Sequence, residues 1–144
     1  MKNILILAIV FGAFLHAKPT LTPEVKALLV DAKSKVEGVS ASTLQEMISK
    51  KSVVLLDVRD PNEWEKGTIT TDKLVKISRG FLEVKYPKLI LKNYKKTDTF
   101  VVYCALEPRS IFASARLEEL GFSNVKYLKG GFKNWSKNKL PISK

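Results

Sequence analysis

Histidine and cysteine are nearly missing from this 144-residue sequence, which contains one of each, His16 and Cys104. A single cysteine excludes a disulfide within the chain, so its thiol is either buried or kept for reaction. His16 lies in an N-terminal stretch that we expect to be removed. The remaining chain then has no Ser-His-Asp or Cys-His catalytic pair and no Cys/His metal cluster. We therefore expect neither a metal nor a cofactor, and backbone N–H groups or an arginine must activate Cys104.

Acidic residues are also scarce, since 14 Asp and Glu face 25 Lys and Arg and leave a net charge of +11. Such a charge can attract nucleic acid or anionic lipid. The lysines are scattered, however, and no groove-reading motif or basic-aromatic repeat is present. We interpret the charge as a solvated lysine-rich surface that steers small anions weakly, and we expect no nucleic-acid partner.

Long apolar runs are absent except for residues 4–15, which follow a short positive end and precede His16-Ala17. This arrangement is typical of a secretory signal peptide and is too short for an ordinary membrane span. We predict a signal peptide over residues 1–17 and an exported, periplasmic protein that is not stably inserted in the membrane after cleavage. An uncleaved N-terminal membrane anchor is the alternative.

Cys104 follows an apolar run, residues 100–103, that has the length of a buried strand. A helical pattern over residues 109–120 begins a few positions later, and Gly121 is a natural C-terminal stop. At such a strand-to-helix junction, unpaired backbone N–H groups point outward and stabilise the thiolate, which is the nucleophilic form. We expect an exposed nucleophilic thiol; the alternative is a buried cysteine that acts as a small apolar residue.

The other segments alternate between short apolar runs and helical patterns. Thr22 and the apolar spacing after it predict a helix that closes near Gly38. This helix is interpreted as an addition that packs on the domain, with a partner-binding helix as the alternative. Ser42 is the predicted N-cap of the next helix, and a later helix is predicted to give way to a loop broken at Pro87. The predicted strands are residues 39–40, 53–57, 74–77, 100–103 and 125–128.

This alternation predicts an α/β fold with a central parallel β-sheet flanked by helices and joined by right-handed crossovers. No repeat, linker or low-complexity tract divides residues 39–144, so we predict one domain there. Residues 18–38 then form an N-terminal helical extension of that domain.

Three stretches of the sequence resemble the signatures of the rhodanese family of sulfurtransferases. The resemblance runs from about Val39 to Pro141, in the family's order and spacing, and implies a rhodanese-like domain of the exported bacterial single-domain type. The matching motifs are Asp57-Val58-Arg59 with Glu63-Trp64 and Gly67-Thr68-Ile69, the loop from Cys104 to Arg109, and Gly121-Phe122-Ser123-Asn124-Val125 with Gly130-Gly131 and Trp135.

The resemblance implies that Cys104 is the catalytic nucleophile of a sulfurtransferase. Its thiolate would take a sulfane sulfur from thiosulfate or another donor, become a persulfide, and pass the sulfur to a thiophilic acceptor, which can be a protein. Loop N–H groups would hold the anionic persulfide, Arg109 would orient an anionic donor or steady the loop, and Ser110 would hydrogen-bond at the helix start. The implied substrate-binding loop is Ala105, Leu106, Glu107, Pro108, Arg109 and Ser110.

Two loop residues depart from what an anion-binding loop favours. Glu107 would repel dianionic thiosulfate if it faced the pocket, and Pro108 removes one N–H group. Thr68 also replaces the histidine that is usual in the first signature. These departures weaken the case for thiosulfate more than the case for the persulfide, and they leave a thiol-bound or protein-bound sulfur donor open.

Charged residues near the end of the predicted strand 53–57 could also be taken for catalytic groups. We interpret Asp57 and Arg59 as structural support that joins neighbouring loops through hydrogen bonds and salt bridges. Glu63, with Asp60 and Pro61, is interpreted mainly as the start of a short helix.

Two other functions stay open. A phosphatase or arsenate reductase of the same fold uses a similar loop, but with five residues between cysteine and arginine, whereas Cys104 and Arg109 are separated by four. The shorter loop suits a single sulfur atom better than a tetrahedral phosphate. A non-catalytic module that carries sulfur or binds a partner would keep the fold without turnover.

Overall fold

The computed structural model describes residues 21–144. The predicted signal peptide lies outside the described residues and stays a prediction. Five parallel strands form the central sheet in the order β1-β6-β5-β2-β4, and β3 pairs with β7 in an antiparallel ribbon. The strands are β1 (Glu37–Val39), β2 (Val54–Asp57), β3 (Thr68–Ile69), β4 (Leu74–Lys76), β5 (Thr99–Tyr103), β6 (Asn124–Leu128) and β7 (Ile142–Ser143).

Helices cover both faces of this sheet. An apolar cluster lies on each face, between the strands and the helices that cover them. The predicted α/β fold with a central parallel sheet flanked by helices is therefore confirmed, and so is the additional N-terminal helix. The helices are α1 (Pro23–Lys35), α2 (Ala41–Ser49), α3 (Pro61–Trp64), α4 (Leu82–Leu89), α5 (Pro108–Glu119) and α6 (Gly131–Lys137), with a 3-10 turn at Arg79–Phe81 before α4.

The two central strands, β2 and β5, decide where the candidate site lies. All four residues of β2 and the last four of β5 are buried, as expected of strands covered on both faces. The strands pair in parallel with Asp57 opposite Tyr103, so both end at the same edge of the sheet. Arg59 and Cys104 follow these ends, which places them at the edge where parallel α/β sheets carry their sites.

Helix α1 packs on the domain, which is the first of the two interpretations given above for the N-terminal extension. Thr22 caps it as predicted, and Ala32 lies in an apolar cluster with Ile111 of α5. The helix ends at Lys35 rather than near Gly38, because Gly38 is a residue of β1.

Three local predictions are wrong. Ser40 rather than Ser42 caps α2, since the Ser40 hydroxyl accepts a hydrogen bond of 3.1 Å from the Thr43 N–H. Pro87 lies inside α4, in the last turn, where the missing N–H removes only one helical hydrogen bond. Strand β6 is not the last strand, because β7 follows it; two residues are too few to produce a periodic signal.

None of the helices formed by residues 21–144 has both the length and the apolar character needed to cross a bilayer.

Candidate active site

Cys104 is the first residue after β5 and is buried, with 1% of its surface exposed. It belongs to an apolar cluster that also contains Val58, Ile77 and Ala113. The expectation of an exposed thiol is therefore wrong. The physical reason is that the Cys104 side chain packs into this apolar cluster, to which α5 contributes Ala113 and Leu117.

The loop after Cys104 is fastened to the start of α6 by its own carbonyl groups. The Cys104 carbonyl accepts a hydrogen bond of 2.8 Å from the Phe132 N–H, and the Ala105 carbonyl accepts one of 3.0 Å from the Lys133 N–H. Gly131 makes this approach feasible, because a Cβ there would lie 2.6 Å from the Cys104 carbonyl oxygen and closer still to that of Leu106. Its φ of +58° is also in the left-handed region that glycine tolerates.

The loop N–H groups are left without partners by this arrangement. In a planar trans peptide the N–H points opposite to the carbonyl, so fastening the carbonyls to α6 turns the next N–H groups away from α6. Among residues 21–144 these loop N–H groups donate no hydrogen bond, and Pro108 has none to donate. A curved run of such groups is an anion-binding concavity. The unpartnered groups belong to Ala105, Leu106, Glu107, Arg109 and Ser110.

Arg109, at the end of the loop, is held by the start of α3. Its Nη1 lies 2.8 Å from Glu63 Oε2, its Nη2 lies 2.9 Å from Glu63 Oε1, and Nη1 also reaches Asp60 at 3.3 Å. Hydrogen bonding to Arg109 lowers the pKa of Glu63, and the same bond raises the pKa of Arg109. The guanidinium is thus committed to carboxylates, which is the geometry of a loop support rather than of a free anion ligand.

Glu63 and Asp60 also form a capping box at the start of α3, in agreement with the prediction that they begin a short helix. Sequence reasoning assigned Glu63 mainly to this cap, and its second contact, with Arg109, was not foreseen. Glu63 and Arg109 are 46 positions apart in the sequence, and only the fold brings them together.

Glu107 faces away from the loop's interior. Its carboxylate accepts a hydrogen bond of 2.7 Å from the Gly130 N–H and lies 3.8 Å from the Lys33 ammonium on α1. The Ser110 hydroxyl donates to the Glu107 carbonyl at 2.8 Å, which is the predicted hydrogen bond at the helix start. The negative charge of Glu107 therefore points toward α1 and the β6–α6 turn.

Asp57 and Arg59 form a buried ion pair behind the site. Their exposed fractions are 0% and 2%, and Arg59 Nη2 lies 2.7 Å from Asp57 Oδ2. The remaining donors of Arg59 reach the carbonyls of Glu63 and Gly67, at 3.3 and 2.8 Å. Burial opposes the charged form of Arg59, but the hydrogen bonds and charge of Asp57 outweigh it and raise the arginine pKa. The pair joins β2 to the α3–β3 segment.

A cavity of about 350 Å³ opens beside Ala105. Its two lysines, Lys66 and Lys133, make no salt bridge within residues 21–144, whereas Glu63 is neutralised by Arg109. The cavity mouth is thus positively charged and suits an anionic ligand. It is lined by Arg59, Glu63, Lys66, Ala105, Phe132, Lys133 and Ser136.

Sequence reasoning missed four of these lining residues, Lys66, Phe132, Lys133 and Ser136. Lys66 immediately precedes Gly67 of the first signature, and Phe132 follows the Gly130-Gly131 turn, so adjacency to those motifs was the available signal. No pattern in the sequence distinguishes Lys133 or Ser136 from other polar residues of a surface helix.

Comparison with known proteins agrees with this architecture. The protein-family model of the rhodanese-like domain matches residues 40–138 of this chain. A putative mitochondrial thiosulfate sulfurtransferase of Schizosaccharomyces pombe is 36% identical over 95 residues, which cover 60% of this chain and 65% of that protein. The chain covers 50% of another relative, the senescence-associated protein DIN1 of Raphanus sativus, at 28% identity. It therefore spans less than two thirds of the length of these curated relatives.

Two solved structures are similar over most of the chain. A protein of unknown function from Rhodopseudomonas palustris, named as a possible tyrosine phosphatase, is 30% identical with a TM-score of 0.72 and covers 88% of this chain and 99% of its own. The polysulfide-sulfur transferase homodimer of Wolinella succinogenes is 27% identical with a TM-score of 0.71, over 83% and 87% of the two chains. With the domain match over residues 40–138 and sulfurtransferases among its relatives, the chain belongs to the rhodanese-like domain family.

Proposed function

We propose that this protein is a sulfurtransferase that carries sulfane sulfur as a Cys104 persulfide from a donor to a thiophilic acceptor. The observation that carries the proposal is the run of unpartnered N–H groups beside the chain's single cysteine. Such groups stabilise negative charge on sulfur without a histidine or a metal ion. Membership of a family that includes sulfurtransferases supports the same reaction.

The reaction needs no oxidant. The Cys104 thiolate attacks the sulfane sulfur, a new S–S bond forms, and the donor's own bond to that sulfur breaks with its electron pair leaving on the donor. In the second step a nucleophile, such as cyanide or a thiolate, bonds to the outer sulfur, and the Cys104 thiolate departs. Because an S–S bond is about 2 Å long, the outer sulfur extends well beyond the buried Sγ. That extension brings the transferable atom closer to the acceptor.

The cavity adjoins the loop at Ala105, on its α6 side, and Cys104 itself does not line it. The charges and size of this cavity favour an anionic donor that approaches the loop there. Glu107 faces outward, so it does not oppose an anion in the way the sequence suggested, and Lys66 and Lys133 attract one. The cavity of about 350 Å³ has the volume of roughly ten water molecules. Thiosulfate, with five heavy atoms, fills only part of it, which leaves room for a carboxylate-bearing thiol persulfide or the persulfide-bearing segment of a protein.

Intact-mass measurement after incubation with a sulfur donor tests the proposal. We expect the protein to gain about 32 Da with polysulfide, and reductant to remove that gain, since a persulfide is reducible. Adding cyanide to the loaded protein should return the original mass and release thiocyanate. If polysulfide, thiosulfate and a small thiol persulfide all leave the mass unchanged, the proposed reaction is wrong.

The same preparation separates the two rival functions. Hydrolysis of an aryl phosphate without any sulfur gain would favour the phosphatase, which the description of the R. palustris structure makes worth testing. A sulfur gain that no small acceptor removes would favour the sulfur-carrier module. Four residues between Cys104 and Arg109, rather than five, are the feature that leads us not to expect the phosphatase result.

We further propose that the protein acts after export, with residues 1–17 removed. The apolar run of residues 4–15 and the small residue Ala17 support this proposal. N-terminal sequencing of the protein from a periplasmic fraction is expected to begin at Lys18. Recovery of a chain that still begins at Met1 from the membrane fraction would instead support the uncleaved anchor.

A further inference from the structure

The Cys104 loop and the turn before α6 are joined by three hydrogen bonds that together form a clasp. Two of them run from N–H groups of α6 to the carbonyls of Cys104 and Ala105. The third runs in the same direction, from the Gly130 N–H to the Glu107 carboxylate, at 2.7 Å. All three therefore fasten acceptors of the loop to donors at the start of α6.

Only the third bond of the clasp depends on a side chain. The first two use backbone atoms and are available to any sequence that forms this turn, whereas the third requires a carboxylate or amide at position 107. Glu107 is also the residue just before α5, where φ is −150° and ψ is −43°. Its contact with Gly130 therefore fixes the far end of the loop, while the two carbonyl bonds fix the near end.

We infer that Glu107 is a positioning residue for sulfur transfer, which holds the Cys104 loop on the Gly130–Gly131 turn. The inference rests on the proposed function and adds a role to it. With both ends of the loop fixed, the N–H groups of Ala105 and Leu106 stay turned away from α6. Without the Glu107 bond the peptide planes of the loop are free to rotate. The N–H groups that hold the persulfide then no longer point in a common direction.

The same contact also stabilises the negative charge that Glu107 brings into an anion-binding loop. The carboxylate accepts from an N–H at the start of α6 and lies 3.8 Å from Lys33 Nζ, so both neighbours are electropositive. The pair with Lys33 is the weaker contact, because the two side chains are 53% and 32% exposed and solvent screens them. The Gly130 bond thus carries the role, and α1 adds a minor contribution.

A series of variants at position 107 separates the hydrogen bond from the charge. Glu107→Ala removes both; Glu107→Gln keeps an acceptor oxygen at the same reach; Glu107→Asp keeps the charge but is one methylene shorter. We expect sulfur loading from polysulfide, followed by intact mass under single-turnover conditions, to be about tenfold slower in the Ala and Asp variants. We expect the Gln variant to load within about threefold of wild type.

Amide hydrogen exchange gives a readout that does not depend on sulfur chemistry. In Glu107→Ala we expect exchange at the Gly130 N–H to be at least tenfold faster, with faster exchange at Phe132 and Lys133, while the amides of β5 keep their rates. Glu46→Ala is the matched control, because Glu46 is an exposed glutamate of α2 outside the clasp. It should change neither measurement, and Lys33→Met should change loading by no more than about twofold.

Specific results would overturn the positioning role. Unchanged loading in Glu107→Asp, loading in Glu107→Gln as slow as in Glu107→Ala, or unchanged exchange at Gly130 in Glu107→Ala each contradict it. If the Ala variant does not fold, the Gln and Asp variants still decide the question. If the wild-type protein takes up no sulfur, the proposed function fails, and the exchange rates still show whether Glu107 fastens the loop.

Discussion

Replacing Cys104 by serine is expected to abolish sulfur loading and turnover altogether. The hydroxyl group is not ionised near neutral pH and its oxygen does not accept sulfane sulfur, so a loss of at least about 10³-fold, down to the uncatalysed background, should result. Cys104 is the chain's single cysteine, and no second thiol can substitute for it. Intact mass after incubation with polysulfide is the direct measurement, and thiocyanate release measures turnover.

The fold should survive this substitution. Serine is close to cysteine in volume, and the unpartnered N–H groups of the loop offer its hydroxyl oxygen hydrogen bonds at a buried position. We expect the melting temperature to change by only a few degrees, which thermal unfolding can check. A reductant-sensitive gain of 32 Da in a folded Cys104→Ser protein would show that sulfur attaches elsewhere, and the proposed mechanism would then be wrong.

Much of the fold was predictable because its elements are encoded locally. The buried run before Cys104 and the helical pattern after it predicted a strand and a helix, and the structure contains β5 and α5 there. The Asp60 capping box likewise needs only neighbouring residues. By contrast, the two-residue strand β7 exists because β3 lies opposite it, and a strand stabilised by a distant partner leaves no periodic pattern in the sequence.

The position of the Cys104 loop between a strand and a helix was predictable, but the directions of its side chains were not. Sequence left open whether Glu107 faces the pocket, because the answer depends on Gly130, which lies 23 residues away. It also led to the expectation of an exposed Cys104, because a strand-to-helix junction specifies unpaired N–H groups but not how deeply the cysteine packs into the apolar cluster. These features are set by packing between distant segments, which sequence patterns do not record.

The largest effect on stability is expected from Arg59→Met. This change removes the only cation that touches Asp57 in the described chain and leaves a fully buried carboxylate without its partner. Breaking a buried ion pair from one side costs about 3–5 kcal/mol. The carbonyls of Gly67 and Glu63 also lose a donor, and the guanidinium no longer stacks on Phe132, whose ring centre lies 4.0 Å away. Denaturant unfolding measures the loss as a lower midpoint.

A second substitution distinguishes an unpaired buried charge from a simple loss of packing. Adding Asp57→Asn to Arg59→Met removes the orphaned charge, so the double variant should be more stable than Arg59→Met alone, although it carries more changes.

Arg116→Met is the matched control, because Arg116 pairs with Glu119 at 2.8 Å on an exposed surface. Losing that pair should lower the free energy of unfolding by less than about 1 kcal/mol. A double variant less stable than Arg59→Met would mean that packing, and not charge burial, dominates at this pair. The segment that presents Glu63 to Arg109 would then depend on the shape of Arg59 more than on its charge, because Arg59 reaches that segment through the Glu63 carbonyl.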